Sequence, residues 1–300
     1  MTDTGGVTEP LDQPVRTRRD TRSAERPPAP DPLPYPVVDN HCHLDMAGSD
    51  GDWLSIEEAL ARSSAVGVPR IVQIGCELPS ARWSVQAARE YDALVAGVAL
   101  HPNEAPLLAE RGELDDALAE IAELAGDEQV RVVGETGLDY FRTGEEGRAA
   151  QQESFRRHVV LAKDLDRTLQ IHDRDAHDDV LRIIDEVGAP ERWVMHCFSG
   201  DAAFAEACLE RGAYLSFSGT VTFKNADPLR EALRTTPTDR VLVETDAPFL
   251  TPTPHRGRPN ASYLVPLTVR SMADTLQHDL ADLCRAIETN TFAAYGGPWG

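Results

Sequence analysis

Six residues of the kinds that hold metal ions and move protons stand at the ends of apolar runs along this chain: His41, His43, Glu135, His172, His196 and Asp246. Their settings are Asp39-Asn40-His41-Cys42-His43, Gly134-Glu135-Thr136-Gly137-Leu138-Asp139, Ile171-His172-Asp173-Arg174, Met195-His196-Cys197-Phe198-Ser199-Gly200 and Glu244-Thr245-Asp246-Ala247-Pro248. Four imidazoles and two carboxylates exceed the three protein ligands usual for one open zinc site and suit a pair of divalent cations. Two cations roughly 3.5–4 Å apart lower the pKa of a shared water and stabilise the attacking and leaving oxygens of a phosphoester. Side chains alternate along a strand, so His41 and His43 share a face, as do Glu244 with Asp246 and Gln170 with His172 and Arg174. By the same parity Cys42 and Cys197 turn away, as packing residues under the helices. His41, His43 and Asp246 are assigned to one metal and His172 and His196 to the second, with Glu135 as the bridge. Each carboxylate oxygen can bind one cation while the charge screens their repulsion. Asp246 is the candidate general base.

Other residues of the same strand ends are candidates for the substrate. His101-Pro102 ends the third strand, which makes His101 a contact for a phosphate or leaving group, with helix capping or loop packing as the alternative. Arg174 shares parity with His172 and can grip a phosphate or pair with a carboxylate beside the metals. His255 and Arg256 follow the eighth strand in a loop rich in proline, placed to line a pocket or simply to be solvated. Phe198 is a candidate to stack on a base, against the commoner packing role of a lone aromatic.

The elements that must position these residues repeat along the chain. Strand patterns lie at Val37–His43, Arg70–Gly75, Val95–His101, Val130–Glu135, Thr168–His172, Trp193–Phe198, Ala213–Ser218 and Val241–Asp246. Helical patterns separate them at Ile56–Val66, Ala81–Tyr91, Leu114–Ala125, Gln151–Asp166, Ala176–Val187, Phe204–Arg211 and Leu229–Arg234, followed by a helical tail over Val265–Tyr295. Eight strands with interleaved helices predict a single (β/α)8 TIM-type barrel over residues 34–300, whose active face is formed by the carboxyl ends of the strands. An open doubly wound sheet is the alternative, but no Gly-x-Gly-x-x-Gly turn follows the first strand. Residues 1–33 are rich in Pro, Asp, Arg and Thr without apolar periodicity, which predicts a disordered amino-terminal extension.

Composition narrows the function. The 300 residues are 41% hydrophobic, enough for one full core, and carry a formal net charge of −21. That charge opposes stable binding of duplex DNA, which relies on basic side chains displacing counterions. Five scattered cysteines form no C-x-x-C pair, so neither a disulfide framework nor a zinc knuckle is indicated. No stretch approaches the length of a membrane span and no secretory h-region opens the chain, so no membrane partner and a cytoplasmic location are expected.

The chain resembles the TatD-type metal-dependent DNases, a branch of the amidohydrolase-like barrel hydrolases, from about Val37 to Tyr295. The settings quoted above carry the resemblance, together with Leu100-His101-Pro102 and the run Gly219-Thr220-Val221-Thr222-Phe223-Lys224-Asn225-Ala226. It implies a barrel, divalent-metal dependence and hydrolysis of DNA phosphodiesters, often from the 3′ end of single strands. Its metal ligands fall on the six residues that parity selects. Two positions depart from the family pattern: Asn103, where many members have a second histidine, and Ala261-Ser262 after Asn260, where relatives often carry Glu-Pro. The expected substrate is therefore a single-stranded DNA or RNA end, cleaved with two divalent ions. Mixed N/O ligands accommodate Zn²⁺, Mn²⁺, Fe²⁺ or Ni²⁺, and the family allows Mg²⁺. Hydrolysis of an ester, amide or lactone, including an aminoacyl-tRNA ester, is the alternative chemistry, since the same activated water attacks carbonyl carbon. Many amidohydrolases bridge their metals through a modified lysine, but Lys163 and Lys224 are the only lysines and neither ends the fourth strand. A non-catalytic binding barrel would be expected to have lost ligands, and all six are present.

Overall fold

The computed structural model describes residues 10–18, 25–48 and 51–300. Its centre is a parallel sheet of eight strands: β1 (Val38–Cys42), β2 (Arg70–Gly75), β3 (Leu94–Val98), β4 (Val130–Asp139), β5 (Thr168–Arg174), β6 (Trp193–Met195), β7 (Tyr214–Phe217) and β8 (Val241–Val243). Each pairs with its sequence neighbour, which is the order a right-handed β-helix-β crossover imposes when repeated. The ring closes at the carboxyl ends of β1 and β8. There Asp246 N donates to His41 O at 2.9 Å and His43 N to Ala247 O at 2.8 Å. Thus the ends that carry His41, His43 and Asp246 are stitched to each other by backbone.

Side-chain alternation divides the core into two layers. Inward residues Val38, Val72, Ile74, Val132, Val194 and Leu242 fill the barrel. Tyr295 and Trp299, beyond the last helix, join that cluster, and the Tyr295 hydroxyl accepts from Gln170 Nε2 at 2.9 Å. Outward residues such as Ile71, Leu169 and Trp193 pack under the helices. The helices are α1 (Ile56–Ser64), α2 (Leu78–Glu90), α3 (Glu104–Arg111), α4 (Leu114–Ala125), α5 (Glu145–Asp164), α6 (His177–Val187), α7 (Ala202–Glu210), α8 (Asp227–Thr235), α9 (Val265–Leu276) and α10 (Leu280–Ala294). Among the described residues no helix is long and apolar enough to cross a membrane.

The sequence reading places no helix at α3, whose Pro106 sits in the first turn, where a missing N–H costs nothing. The single helical tail divides at Gln277, which is left-handed at φ 56°, and Asp279 caps the next helix by accepting from Ala281 N and Asp282 N.

Within the expected amino-terminal extension, the described residues of 1–33 touch the barrel. Arg16–Thr17 pairs in parallel with Met46–Ala47, Leu33 is buried and its N–H donates to Val66 O at 3.0 Å, and Tyr263 Oη donates to Pro27 O at 2.7 Å. Backbone pairing, arginine contacts and the packing of Leu11, Val15 and Leu33 against the core hold these residues. Residues 1–9 and 19–24 lie outside the described residues.

Candidate metal centre

The strand ends bring the six expected ligands into one cluster. His41 Nε2 lies 3.2 Å from His43 Nε2, and Asp246 Oδ1 lies 3.7 Å and 3.5 Å from the two. A tetrahedral ion with ligands at about 2.0–2.1 Å needs donor atoms roughly 3.3 Å apart, so this spacing fits a cation. Glu135 stands between this group and a second. Its Oε2 is 3.5 Å from His41 Nε2; its Oε1 is 2.7 Å from His172 Nδ1, 3.2 Å from His196 Nε2 and 3.5 Å from His101 Nε2. The donor set of imidazoles and carboxylates suits a divalent ion.

Neighbouring groups set the direction of each ring. Gln170 gives its amide N–H to Asn40 O at 3.0 Å, which leaves its Oε1 to accept from His41 Nδ1 at 2.7 Å. His43 Nδ1 meets Ile74 O at 3.0 Å, and His196 Nδ1 meets Glu244 Oε1 at 2.8 Å. With the proton on Nδ1 in each, the Nε2 lone pairs converge on the centre, the arrangement that metal-binding histidines require. His172 spans Glu135 and Asp139, with Nε2 3.4 Å from Asp139 Oδ2. Asn103 Nδ2 supports that carboxylate at 3.4 Å, so the position where family members often carry a histidine here braces a brace.

Glycine makes room for the bridge. A Cβ on Gly134 would lie 2.6 Å from Gln170 Cβ, and one on Gly137, at φ 135°, would lie 2.1 Å from His172 O. These two positions let β4 press against β5 on either side of Glu135, where the strand register shifts.

Burial and charge oppose each other throughout the cluster. Burial pushes the Glu135 carboxyl up, but His196, His101 and His172 outweigh it and hold it well below the usual range. Burial likewise raises Asp246, and the hydrogen bond from His43 with the charges of His196 and His41 brings it down. Burial disfavours charge on His172, yet Asp139 and Glu135 carry it up to about 9; Glu244 and Glu135 do the same for His196, well above its ordinary value. Burial dominates at His41 and His101, which are lowered. The result is ionised carboxylates among imidazoles, the field a cation enters by displacing protons.

The cleft over this cluster measures about 600 Å³ and is lined by His101, Arg174, Arg142, Arg16, Cys76 and Cys197, besides the expected ligands other than His41. His101 and Arg174 both line the cleft over the cluster. His255 is half-buried and Arg256 exposed, and neither lines this cleft; the Arg256 guanidinium lies 4.0 Å from the centroid of the Phe223 ring. Phe198 is only 1% exposed, packed against Phe204 and Phe217. Its ring belongs to the core and is not presented for stacking, which corrects that expectation. Cys197 also departs from its parity: β6 ends at Met195, the backbone turns left-handed at Cys197 (φ 43°), and the residue faces the cleft.

Sequence reasoning missed Cys76, whose Sγ lies 3.4 Å from Glu135 Oε2, and Arg16, 3.1 Å from His43 Nδ1. It also passed over the bracing roles of Glu244, Gln170 and Asp139. Parity already put Glu244 and Gln170 on the active face, so that signal was available for them. For Cys76 its place directly after the expected strand Arg70–Gly75 was such a signal; for Arg16 there was none.

A parallel barrel with histidines and carboxylates gathered at its carboxyl mouth defines the class of metal-dependent hydrolases. The chain belongs to the family described as TatD related DNase, whose model matches residues 38–296. It is 41% identical over 268 residues to an uncharacterised metal-dependent hydrolase TatD of Mycobacterium tuberculosis, covering 88% of this chain and 99% of that one. It is 39% identical to the uncharacterised metal-dependent hydrolase YabD of Bacillus subtilis, over 79% of this chain and 90% of the relative. Among solved structures it resembles YJJV, a TatD homologue from Escherichia coli, with a TM-score of 0.78 and 27% identity over 87% of this chain and 98% of that one.

Proposed function

We propose that the protein cleaves phosphodiester bonds at the 3′ ends of single-stranded DNA or RNA, using a pair of divalent ions bridged by Glu135. The observation that carries this reading is the division of the Glu135 carboxylate. Oε2 faces His41 and His43, while Oε1 faces His172 and His196. Bound there, two cations lower the pKa of an attacking water and stabilise charge on both the attacking and leaving oxygens. Asp246, at the open side of the first group, takes the proton of that water. His101 stabilises the departing oxygen. Asn103 N donates to His101 Nδ1 at 3.1 Å, so the neutral ring carries its proton on Nε2 and can donate a hydrogen bond to the charge developing on O3′.

The rim supports a nucleotide substrate. In a chain of net charge −21, Arg142 and Arg174 line the cleft, besides Arg16, whose guanidinium is paired with Asp45. Phe141 is 62% exposed, and the Arg174 guanidinium lies 3.8 Å from the centroid of its ring. A cation beside an exposed aromatic is the pairing that holds an unstacked base and its phosphate.

A time course on end-labelled single strands, blunt duplexes and closed circles with Zn²⁺, Mn²⁺ or Mg²⁺ tests the reading. Mononucleotides released from the 3′ end of single strands are expected, with duplexes and circles cut far more slowly. Efficient cutting of circles would refute exonuclease action. Turnover of simple esters or amides with no cleavage of any nucleic acid would transfer the reading to carbonyl hydrolysis.

A further inference from the structure

The segment carrying Arg16 precedes the stretch that the family model matches, which begins at residue 38. It reaches the mouth of the barrel nonetheless. The pairing of Arg16–Thr17 with Met46–Ala47 lays it beside the residues that follow His43. On the other side, Arg18 Nη1 donates to Pro248 O at 2.6 Å and its guanidinium lies 5.9 Å from the centroid of the Phe249 ring. The segment therefore ties together the two loops that leave His43 and Asp246.

We infer that this amino-terminal segment is a built part of the metal centre and that Arg16 is a positioning residue for His43. The Arg16 guanidinium forks onto Asp45, with Nε to Oδ2 at 2.5 Å and Nη2 to Oδ1 at 2.9 Å. Asp45 is fully buried and also accepts from Gln73 Nε2 at 3.0 Å, while Gln73 Oε1 accepts from Leu44 N at 2.6 Å. The guanidinium is thus fixed in place by a buried, hydrogen-bonded anchor. Its Nη2 then stands 3.1 Å from His43 Nδ1, on the side of the ring away from the cluster. With the His43 proton given to Ile74 O, Arg16 acts by filling the space behind the imidazole, so that Nε2 stays directed at Asp246 and Glu135. Without Arg16 the ring gains room to turn, and Asp45 is left a buried carboxylate without its cation. Groups that orient a ligand from behind typically affect metal affinity or activity by about 10–100-fold.

The inference rests on His43 being a ligand but not on the identity of the substrate. Titrate the metal-stripped full-length chain with Zn²⁺ and Mn²⁺ by calorimetry, comparing wild type with Arg16→Ala, Arg16→Lys and Arg270→Ala. Arg270 Nη2 donates to Pro32 O at 2.9 Å and is not among the residues lining the cleft, so its variant loosens the same amino-terminal run elsewhere. Arg16→Ala is expected to weaken binding by about tenfold or more, Arg16→Lys to weaken it less because an ammonium keeps the cation beside Asp45 while lacking the fork, and Arg270→Ala to leave it unchanged. Should Arg16→Ala not fold, the comparison of Arg16→Lys with Arg270→Ala decides. Wild-type affinity in both Arg16 variants, or an equal loss in Arg270→Ala, would overturn the inference. A wild-type chain that binds neither ion would instead overturn the metal-centre reading itself.

Discussion

At the scale of single residues, Glu135 has the largest consequence, because it touches both halves of the cluster. Removing its carboxylate leaves four imidazoles converging without the negative charge that offsets two cations. Glu135→Ala is expected to lose bound metal from both positions and to reduce turnover by more than the roughly 10–100-fold of an outer partner. His101→Ala is its complement, since that ring is read as a hydrogen-bond donor to the leaving oxygen and not as a ligand. It should retain metal while kcat falls by about 10²–10³. Metal analysis beside rate measurements separates the two, and a Glu135→Ala protein that keeps two metals per chain would defeat the bridge.

At the scale of elements, His158 joins α5 to the end of β3, just before His101. Its Nδ1 meets Ser154 O at 2.7 Å and its Nε2 accepts from Leu100 N at 3.2 Å. A neutral ring makes both bonds; a protonated one would set N–H against N–H. Burial lowers its pKa from 6.5 to about 4. A lowered histidine stays neutral in the fold while the unfolded chain takes up a proton below about pH 6.5. Stability from this group is therefore complete above that pH and falls as pH drops toward 4, by on the order of 3 kcal/mol. His158→Gln keeps a donor and an acceptor but does not titrate. Urea unfolding at pH 7.5 and 4.5 should show wild type losing more stability than the variant, and parallel losses would refute the assignment.

At the scale of the whole molecule, charge decides how a polyanion approaches. The net charge of −21 repels nucleic acid at long range, and attraction is confined to Arg142 and Arg174 of the rim, because the Arg16 guanidinium is held by Asp45. Each phosphate neutralised on a single strand contributes about −0.7 to the slope of log affinity against log salt, so two contacts give a slope of about −1.4. Oligonucleotide binding measured across a salt series checks this. A slope steeper than about −4 would mean a basic track that the cleft does not supply.

The sequence by itself determined the barrel and the six clustered residues, because both follow from local rules. Apolar runs at regular spacing specify strands and helices, and parity within β1 puts His41 and His43 on one side whatever the rest of the chain does. Helix α3 and the break at Gln277 were less legible, since a first-turn proline and a left-handed residue leave little trace in periodicity. Tertiary structure alone decided what lies behind the ligands. Phe198 and Cys197 follow the end of β6, where alternation no longer applies, so one went to the core and the other to the cleft. The Glu135 carboxylate takes its two directions from five other strand ends at once, and Cys76 reaches it from a strand that contributes no expected ligand. Arg16 finds Asp45 and His43 across the barrel mouth through backbone pairing, a contact between distant segments that leaves no pattern in either one.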